Sequence, residues 1–498
     1  MSDLEFDYVI VGSGGAGGVL ARTLAERTNA TVAVLEAGPS DEGKPEILDY
    51  RRYMDVRRSA LARLISIVPP AQGNGRFQYP ISRVLGGSTS QNSCIWLRPP
   101  ASDFDDWEAA GAAGWGPEGV MSHFATLETR INIEEVFPDE DSHRVLWQAA
   151  EELGFEHIDF AKAFDEGMGR YRMSKAGSER QSTAVVFLRR YLPNNLAVFT
   201  ETEVQKLIIG PDNEVQGVET SRGPIRARRE VVLSAGALDT PKLLMLTGIG
   251  PAAQLKEFGI EVKKDLRGVG AHLLDHPIAC VNVAATGTLA RDPDWNYSGI
   301  IFTRAEADAV WPDIEVQVGP ELFEQQTKPA GYPSAPNGFT AYIAVNRARS
   351  EGTVRLASTD VRDNPIVDPA YFSDPDGYDL RVMIGGVRMA RQLFATPTIS
   401  GWIDRELAPG DDAESDEELG AYVRDTATTG YHPAGTCAMG AADNPNSVVD
   451  PELKVVGVRR LRVADASVMP TMVSVNIAPT CMMIGHRAAA LIAGKMNR

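Results

Sequence analysis

The first forty residues alternate between short apolar runs and small or polar residues. Residues 6–11 are β-branched or aromatic apart from one Asp, which predicts a strand. A glycine-rich run, Gly12-Ser13-Gly14-Gly15-Ala16-Gly17, follows at once, and apolar residues then recur at helical spacing. Residues 31–35 predict a second strand, which ends at Glu36. The predicted order is therefore strand, glycine turn, helix, strand and acid.

Later parts of the chain contain similar apolar runs. Residues 230–235 predict a buried strand that leads into residues 236–241 and the apolar segment 242–246, where Pro241 suits the first turn of a helix. Strands of a more antiparallel region are predicted at 299–303, 313–318, 338–346 and 352–356. Residues 461–464 predict another buried strand, and 480–493 an apolar helix. Because dinucleotide-type elements lie near both ends, we expect one sheet that the C-terminal segment completes.

Amino-acid composition and net charge limit the classes of protein and the partners that fit this sequence. The 498 residues are 43% hydrophobic and 23% charged, as in globular proteins, and the formal net charge of −18 disfavours nucleic acid and anionic membranes as partners. We expect no membrane-spanning segment, because no run of about 18 apolar residues occurs. The first five residues carry two acids and no basic residue, unlike a secretion signal. Four scattered cysteines without a Cys-x-x-Cys pair indicate reduced thiols in a cytoplasmic protein with no metal cluster.

The glycine turn has the spacing of a dinucleotide-binding motif. Gly12 permits a sharp turn, Gly14 lets backbone amides approach a pyrophosphate, and Gly17 allows close packing of helix on strand. Glu36 lies 19 residues after Gly17, where an acid accepts hydrogen bonds from ribose hydroxyls. No Arg closely follows Glu36, which argues against a 2′-phosphate. These residues alone leave FAD, NAD and a purely structural turn open.

Two further segments are rich in small residues. Residues 83–94 suit either close approach to a flat ligand or a plain surface turn. His432 lies in the run Thr429-Gly430-Tyr431-His432-Pro433-Ala434-Gly435-Thr436, where Pro433 restricts its backbone. Of the seven histidines, His432 is distinguished by this setting, and an imidazole pKa near neutrality would suit a general base.

Several motifs together resemble the glucose–methanol–choline (GMC) oxidoreductase family of FAD enzymes over nearly the full chain. They are the glycine motif, residues 83–92 with 103–107, the block 236–250, Asp275-His276-Pro277, and the C-terminal blocks. Within the family the chain is most similar to choline oxidases, through residues 92–95, 352–356, 431–433, 462–470 and 482–485.

The resemblance implies an α/β fold in two discontinuous domains. A Rossmann-like FAD-binding domain would comprise residues 1–145, 182–290 and 430–498. An α+β substrate domain with an antiparallel sheet would comprise 146–181 and 291–429. The implied FAD contacts are Gly12, Ser13, Gly14, Ala16, Gly17, Glu36, Ala37, Arg83, Gly87, Ser88, Asn92, Ser93, Cys94, Ile95, Val204, Ala235, Asp465 and Ala466.

The family's two catalytic positions fall on His432 and Asn476. His432 would accept the hydroxyl proton while flavin N5 accepts the hydride. Asn476 would donate a hydrogen bond to the substrate oxygen, or could instead cap the final helix. The expected activity is oxidation of a primary alcohol, with O₂ reoxidising the flavin to give an aldehyde and H₂O₂. Two alternatives stay open: an alcohol dehydrogenase that uses a quinone or protein acceptor, and a hydroxynitrile lyase that retains FAD.

The substrate is expected to be small or polar, and not choline. Choline oxidases place a Glu against the trimethylammonium group, and alignment on residues 302–303 puts Ser298 there. Ser93 and Tyr431 match residues that flank the choline oxidase active site and are candidate substrate contacts. Choline oxidases have a Val where this chain has Gly430, so flavin binding does not by itself predict that the reduced flavin reacts with O₂. The resemblance also suggests a homodimer.

We predict that FAD is bound without a covalent bond. Choline oxidases attach the flavin through a His of the second glycine loop, and Gln91 occupies that position here. Acid precipitation of the purified protein should release yellow flavin into the supernatant, where its absorbance is measured. A pellet that keeps the colour would contradict the prediction.

Overall fold

Two large sheets organise the chain in the computed structural model, which describes residues 4–69, 71, 73–290, 292, 294–306 and 309–496. In the first sheet, parallel strands surround the predicted nucleotide motif, and an antiparallel pair extends one edge. In spatial order its strands are Leu196–Phe199, Val32–Leu35, Leu4–Val11, Gly223–Leu233, Val215–Thr220 and Val204–Ile209, and Leu461–Val463 also pairs with Gly223–Leu233. The expectation that the C-terminal segment completes this sheet is confirmed.

The second sheet is almost entirely antiparallel. Its strands in spatial order are Ile403–Ala408, Pro277–Ala285, Gly338–Val345, Ile314–Gly319, Gly299–Thr303, Gly167–Gly169 and His157–Ile158, and Thr428–Thr429 also pairs with Pro277–Ala285. The predicted FAD-binding domain includes residues 182–290 and so contains Pro277–Ala285. In the structure this strand pairs with Gly338–Val345 in the second sheet. Thr353–Arg355 does not join either large sheet and pairs with Ile366–Asp368 instead.

Short strand pairs and α-helices make up most of the remaining regular structure among the described residues. The remaining strand pairs join Ala62–Ser66 to Gln78–Ser82, Tyr171–Ala176 to Ile133–Val136 and Glu179–Arg180, and Ile249–Gly250 to Lys264–Asp265. The α-helices are Gly15–Arg27, Pro45–Leu48, Tyr53–Arg57, Ala101–Ala109, Pro117–Glu128, Asp141–Glu152, Gly236–Leu246, Ala252–Glu257, Tyr378–Ala395, Pro397–Ser400, Asp416–Thr426 and Ala478–Met496. Among the described residues, no helix is both long and apolar enough to cross a bilayer.

One predicted helix begins earlier than expected. The prediction placed Pro241 in the first turn, but the helix runs from Gly236 to Leu246 and contains Pro241 in its interior. Asp465 explains the early start, since its Oδ2 accepts hydrogen bonds from Gly236 N at 2.9 Å and Thr240 Oγ1 at 2.6 Å. A carboxylate from another part of the chain therefore stabilises the helix N-terminus.

The last helix packs closely on the first. A Cβ at Gly485, in Ala478–Met496, would collide with the carbonyl oxygen of Ala16 in Gly15–Arg27. This contact brings a helix from the C-terminal segment against the glycine turn, so both ends of the chain shape the same region.

We predict that Gly485→Ala lowers the free energy of unfolding by about 1–3 kcal/mol, because the added methyl group forces the two helices apart. Gly494→Ala in the same helix is the matched control, since a Cβ there meets no atom within 4 Å. Urea unfolding followed by circular dichroism and flavin content measures both variants. Equal losses in the two proteins would contradict the packing argument.

Candidate active site

A cavity lies between the first sheet and the second. On one side it is lined by residues that follow four parallel strands: Gly12, Glu36, Ser234 and Asp465. On the other side it is lined by side chains of the antiparallel sheet: Ile278, Glu315, Gln317 and Tyr342. The carboxyl ends of parallel strands are the usual ligand-binding edge of such a sheet.

The glycine turn forms a cradle for phosphate groups. A Cβ at Gly14 would meet no protein atom within 4 Å, and Gly14 lines the cavity. Helix Gly15–Arg27 begins there, without an acidic residue in its first turn and without a side-chain cap. Its free N–H groups and positive pole suit a pyrophosphate. The cradle therefore fits a dinucleotide such as FAD.

Glu36 is held in place at the end of the neighbouring strand. Its Oε2 accepts hydrogen bonds from Ser13 Oγ at 2.5 Å and Ser13 N at 3.3 Å, and its Oε1 accepts one from Gly38 N at 2.9 Å. Burial raises the pKa of Glu36, and these donors oppose the shift. An ionised carboxylate can accept about four hydrogen bonds, so capacity remains for a ribose hydroxyl.

Gln91 stands in the second glycine loop and also lines the cavity. Its Nε2 donates to the carbonyl oxygen of Pro80 at 2.6 Å, while its buried Oε1 has no protein partner among the described residues. An amide is not the nucleophile that a covalent flavin bond requires, so noncovalent binding stays the prediction.

Asp275 organises the loop that carries His432. Its Oδ2 accepts hydrogen bonds from the hydroxyls of Tyr79, Tyr371 and Thr429 at 2.7, 2.6 and 2.6 Å. Its Oδ1 accepts from the backbone N–H groups of His276 at 2.8 Å and His432 at 3.0 Å. Burial raises the pKa of Asp275, and the three hydroxyl donors counter the shift.

The predicted catalytic pair meets at the cavity wall. Asn476 Nδ2 lies 3.3 Å from His432 Nε2, and both residues line the cavity. Burial lowers the pKa of His432 well below its usual value, and His276 and Arg57 lower it further. The imidazole is therefore neutral, as a base requires. The side-chain oxygen of Asn476 has no described partner, so it does not cap the final helix.

Aromatic rings form the wall contributed by the antiparallel sheet and its loops. Trp295, Tyr297, Phe323 and Tyr342 line it, and Phe323 meets Tyr342 edge to face with ring centroids 5.1 Å apart. Glu315 lies in the same wall and is 4% exposed. Its Oε1 accepts a hydrogen bond from Gln317 Nε2 at 2.6 Å, and its Oε2 has none among the described residues. Burial raises the pKa of Glu315 to about 7.

The cavity gathers most of the residues that the sequence predicted. Those that line it are Gly12, Ser13, Gly14, Ala16, Glu36, Ala37, Arg83, Gly87, Ser88, Asn92, Ser93, Ile95, Val204, Ala235, Asp465, Ala466, Tyr431, His432 and Asn476. Their individual roles toward FAD and substrate stay predictions.

Three predicted residues lie outside the lining. Gly17 packs the helix on the strand, where a Cβ would collide with the carbonyl oxygen of Gly12. Cys94 is buried, and its Sγ accepts a hydrogen bond from Arg180 Nη1 at 3.0 Å. Ser298 turns away from the cavity, and its Oγ pairs with His143 Nδ1 at 2.9 Å. The structure therefore does not bring Ser298 together with the other predicted substrate contacts.

Sequence reasoning missed Glu315, Gln317 and Arg57. The first two alternate with Ile314, Val316 and Val318 along one strand, which is the signal that could have placed them on one face. Arg57 lines the cavity mouth, and its guanidinium stacks on the ring of Tyr431, 4.0 Å from the centroid. No local motif marks Arg57.

Comparison with known proteins identifies the class. Models of the N- and C-terminal regions of GMC oxidoreductases match residues 6–278 and 348–485. The chain therefore belongs to the GMC oxidoreductase family and is an FAD-dependent alcohol oxidoreductase.

Three relatives locate the chain within that family. It is 42% identical to choline oxidase of Arthrobacter globiformis, covering 99% of this chain and 95% of the relative. It is 32% identical to an oxygen-dependent choline dehydrogenase of Rhizobium etli, covering 99% and 96%. The structure of a formate oxidase from Aspergillus oryzae superposes with a TM-score of 0.89 at 26% identity over 100% of both chains.

Proposed function

We propose that this protein is an alcohol oxidase that oxidises a primary alcohol to an aldehyde, with His432 as the general base. The observation that carries the proposal is a neutral His432 beside Asn476 in a cavity that also contains the dinucleotide cradle. Bound FAD supplies the acceptor for the hydride that leaves the carbinol carbon.

The chain's own groups handle the other hydrogen. His432 Nε2 takes the hydroxyl proton, and the Nδ2 group of Asn476 donates a hydrogen bond to the substrate oxygen. Helix Ala478–Met496 begins just after Asn476, so its positive pole favours negative charge at this end of the cavity. His432 would therefore take the proton, while bound FAD would supply the hydride acceptor.

The substrate we infer is a polar primary alcohol with a cationic head group. Ser298, which aligns with the Glu that choline oxidases place against the trimethylammonium group, lies outside the described cavity lining and so gives no reason to exclude a cationic head group. Glu315 supplies a carboxylate within a wall of four aromatic rings, and ring faces also attract cations. The choline-oxidising relatives make quaternary ammonium alcohols the first probes.

O₂ is the acceptor that we propose, since the two relatives are a choline oxidase and an oxygen-dependent choline dehydrogenase. Anaerobic mixing with a panel of alcohols should bleach the flavin, and admission of air should restore the colour with formation of H₂O₂. Recovery only with a quinone or dye would indicate a dehydrogenase. Flavin that no alcohol bleaches would refute alcohol oxidation and leave the lyase alternative.

We predict that His432→Ala keeps its flavin but loses about 10²-fold in the rate of anaerobic flavin reduction, because the general base is gone. Stopped-flow absorbance at the flavin band measures this rate. His157→Ala is the control, since His157 is exposed, contacts Glu151 and Trp147, and does not belong to the described lining of the cavity. Near-normal reduction in His432→Ala would remove His432 from the mechanism.

We predict that Glu315→Gln raises KM for choline about tenfold and leaves KM for 3,3-dimethylbutan-1-ol, its uncharged isostere, unchanged. A tenfold change corresponds to about 1.4 kcal/mol of head-group attraction. In the parent protein, KM for choline should fall as pH rises through about 7, since the Glu315 carboxylate ionises there. His432 stays neutral throughout this range. A proportional rise of both KM values would refute a charge-specific role.

A further inference from the structure

We propose that His276 is a positioning residue that fixes the tautomer of His432 and thereby keeps its Nε2 free to accept the substrate proton. This inference rests on the proposed role of His432. It assigns a function to a third side chain, outside the His432–Asn476 pair.

The hydrogen-bond partners of His276 define where its own proton lies. His276 Nε2 is 2.9 Å from the carbonyl oxygen of Val473 and 3.1 Å from that of Asn346. Carbonyl oxygens only accept hydrogen bonds, so Nε2 must carry a hydrogen. Burial lowers the pKa of His276 to about 4, so the ring is neutral near pH 7 and its Nδ1 has a free lone pair.

The contact between His276 and His432 then determines which ring nitrogen of His432 carries the hydrogen. The two Nδ1 atoms lie 2.8 Å apart, and the rings cross at 86°. One hydrogen must lie between two nitrogens at this distance. Since Nδ1 of His276 has none, the hydrogen belongs to Nδ1 of His432. Nε2 of His432, which faces Asn476, is therefore the unprotonated nitrogen.

The backbone around the pair makes the contact rigid. His276 N donates to Asp275 Oδ1 at 2.8 Å, and Gly430 N donates to the carbonyl oxygen of His276 at 2.8 Å. A Cβ at Gly430 would lie 3.1 Å from both His276 Cβ and His432 Nδ1, so a glycine leaves room for the two rings.

The hydrogen bond between the two Nδ1 atoms also stabilises His432 after it has taken up the substrate proton. When the alcohol O–H bond breaks, the proton forms a new N–H bond at His432 Nε2, and the ring becomes a cation. Its Nδ1–H continues to donate to the neutral Nδ1 of His276, which stabilises the positive charge without taking up the proton.

Two substitutions separate this role from a structural one. Asn carries its amide oxygen where His has Nδ1, so His276→Asn keeps the acceptor for His432 but loses the donor to the two carbonyls. Gln carries its amide nitrogen near Nε2, so His276→Gln keeps that donor but loses the acceptor. Folding, flavin content and KM are measured beside the limiting rate of anaerobic flavin reduction.

We expect His276→Gln to lose about 10²-fold in the limiting rate with little change in KM, and His276→Asn to stay within about tenfold of the parent. Equal losses, the reverse order, or normal rates in both variants would overturn the proposal. Failure of the parent protein to reduce its flavin would instead refute the proposed function, so the two failures are distinguishable.

A measurement on the unaltered holoenzyme covers the case in which the variants do not fold. Nitrogen-15 NMR of protein labelled at histidine distinguishes protonated from bare ring nitrogens, and His432→Ala assigns the signals. We expect the His432 hydrogen on Nδ1 at neutral pH. A hydrogen on Nε2 would overturn the proposal, whatever the kinetics.

Discussion

The loop that carries His432 depends on the hydrogen bonds of one buried carboxylate, that of Asp275. It accepts hydrogen bonds from three hydroxyls and two backbone N–H groups, and all of these donors except the neighbouring His276 N come from segments far away in sequence. A buried charge is tolerated only when its hydrogen-bonding capacity is satisfied, and here each donor contributes to that condition. The same bonds fix the backbone of both His276 and His432, so the position of the proposed base follows from the solvation of one carboxylate.

The two sheets supply different kinds of chemistry to one cavity. The parallel sheet presents strand ends, where backbone N–H groups and glycines allow a dinucleotide to approach closely. The antiparallel sheet presents a face, where alternating side chains such as Glu315 and Gln317 point in one direction. In the proposed function, the phosphates of the cofactor would therefore be bound by the main chain and its ribose by Glu36, whereas the substrate would be recognised through side chains that can change without altering the fold.

This difference between the two sheets explains which features of the fold and the site could be predicted from the sequence. The glycine turn, Glu36 and the flanking strands were predictable, because their meaning depends on residues that are close in the chain. The large antiparallel strands were also found, since their composition is local information. Glu315 was missed because its assignment depends on which face of its strand meets the cavity, and a shift of one residue reverses that answer. Ser298 precedes the strand Gly299–Thr303, and its contact with His143, 155 residues away, could not be predicted from local sequence. Pro241 was misplaced for a similar reason, since Asp465, more than 200 residues away, determines where that helix begins.

The pairing of Leu461–Val463 with Gly223–Leu233, and of the last helix with the first, has a consequence for biosynthesis. Contacts between such distant segments form late, because the intervening chain must first be ordered. On the ribosome, the nucleotide cradle cannot close until the final helix has emerged from the exit tunnel. A nascent chain arrested before this helix would therefore leave the cradle open on one side.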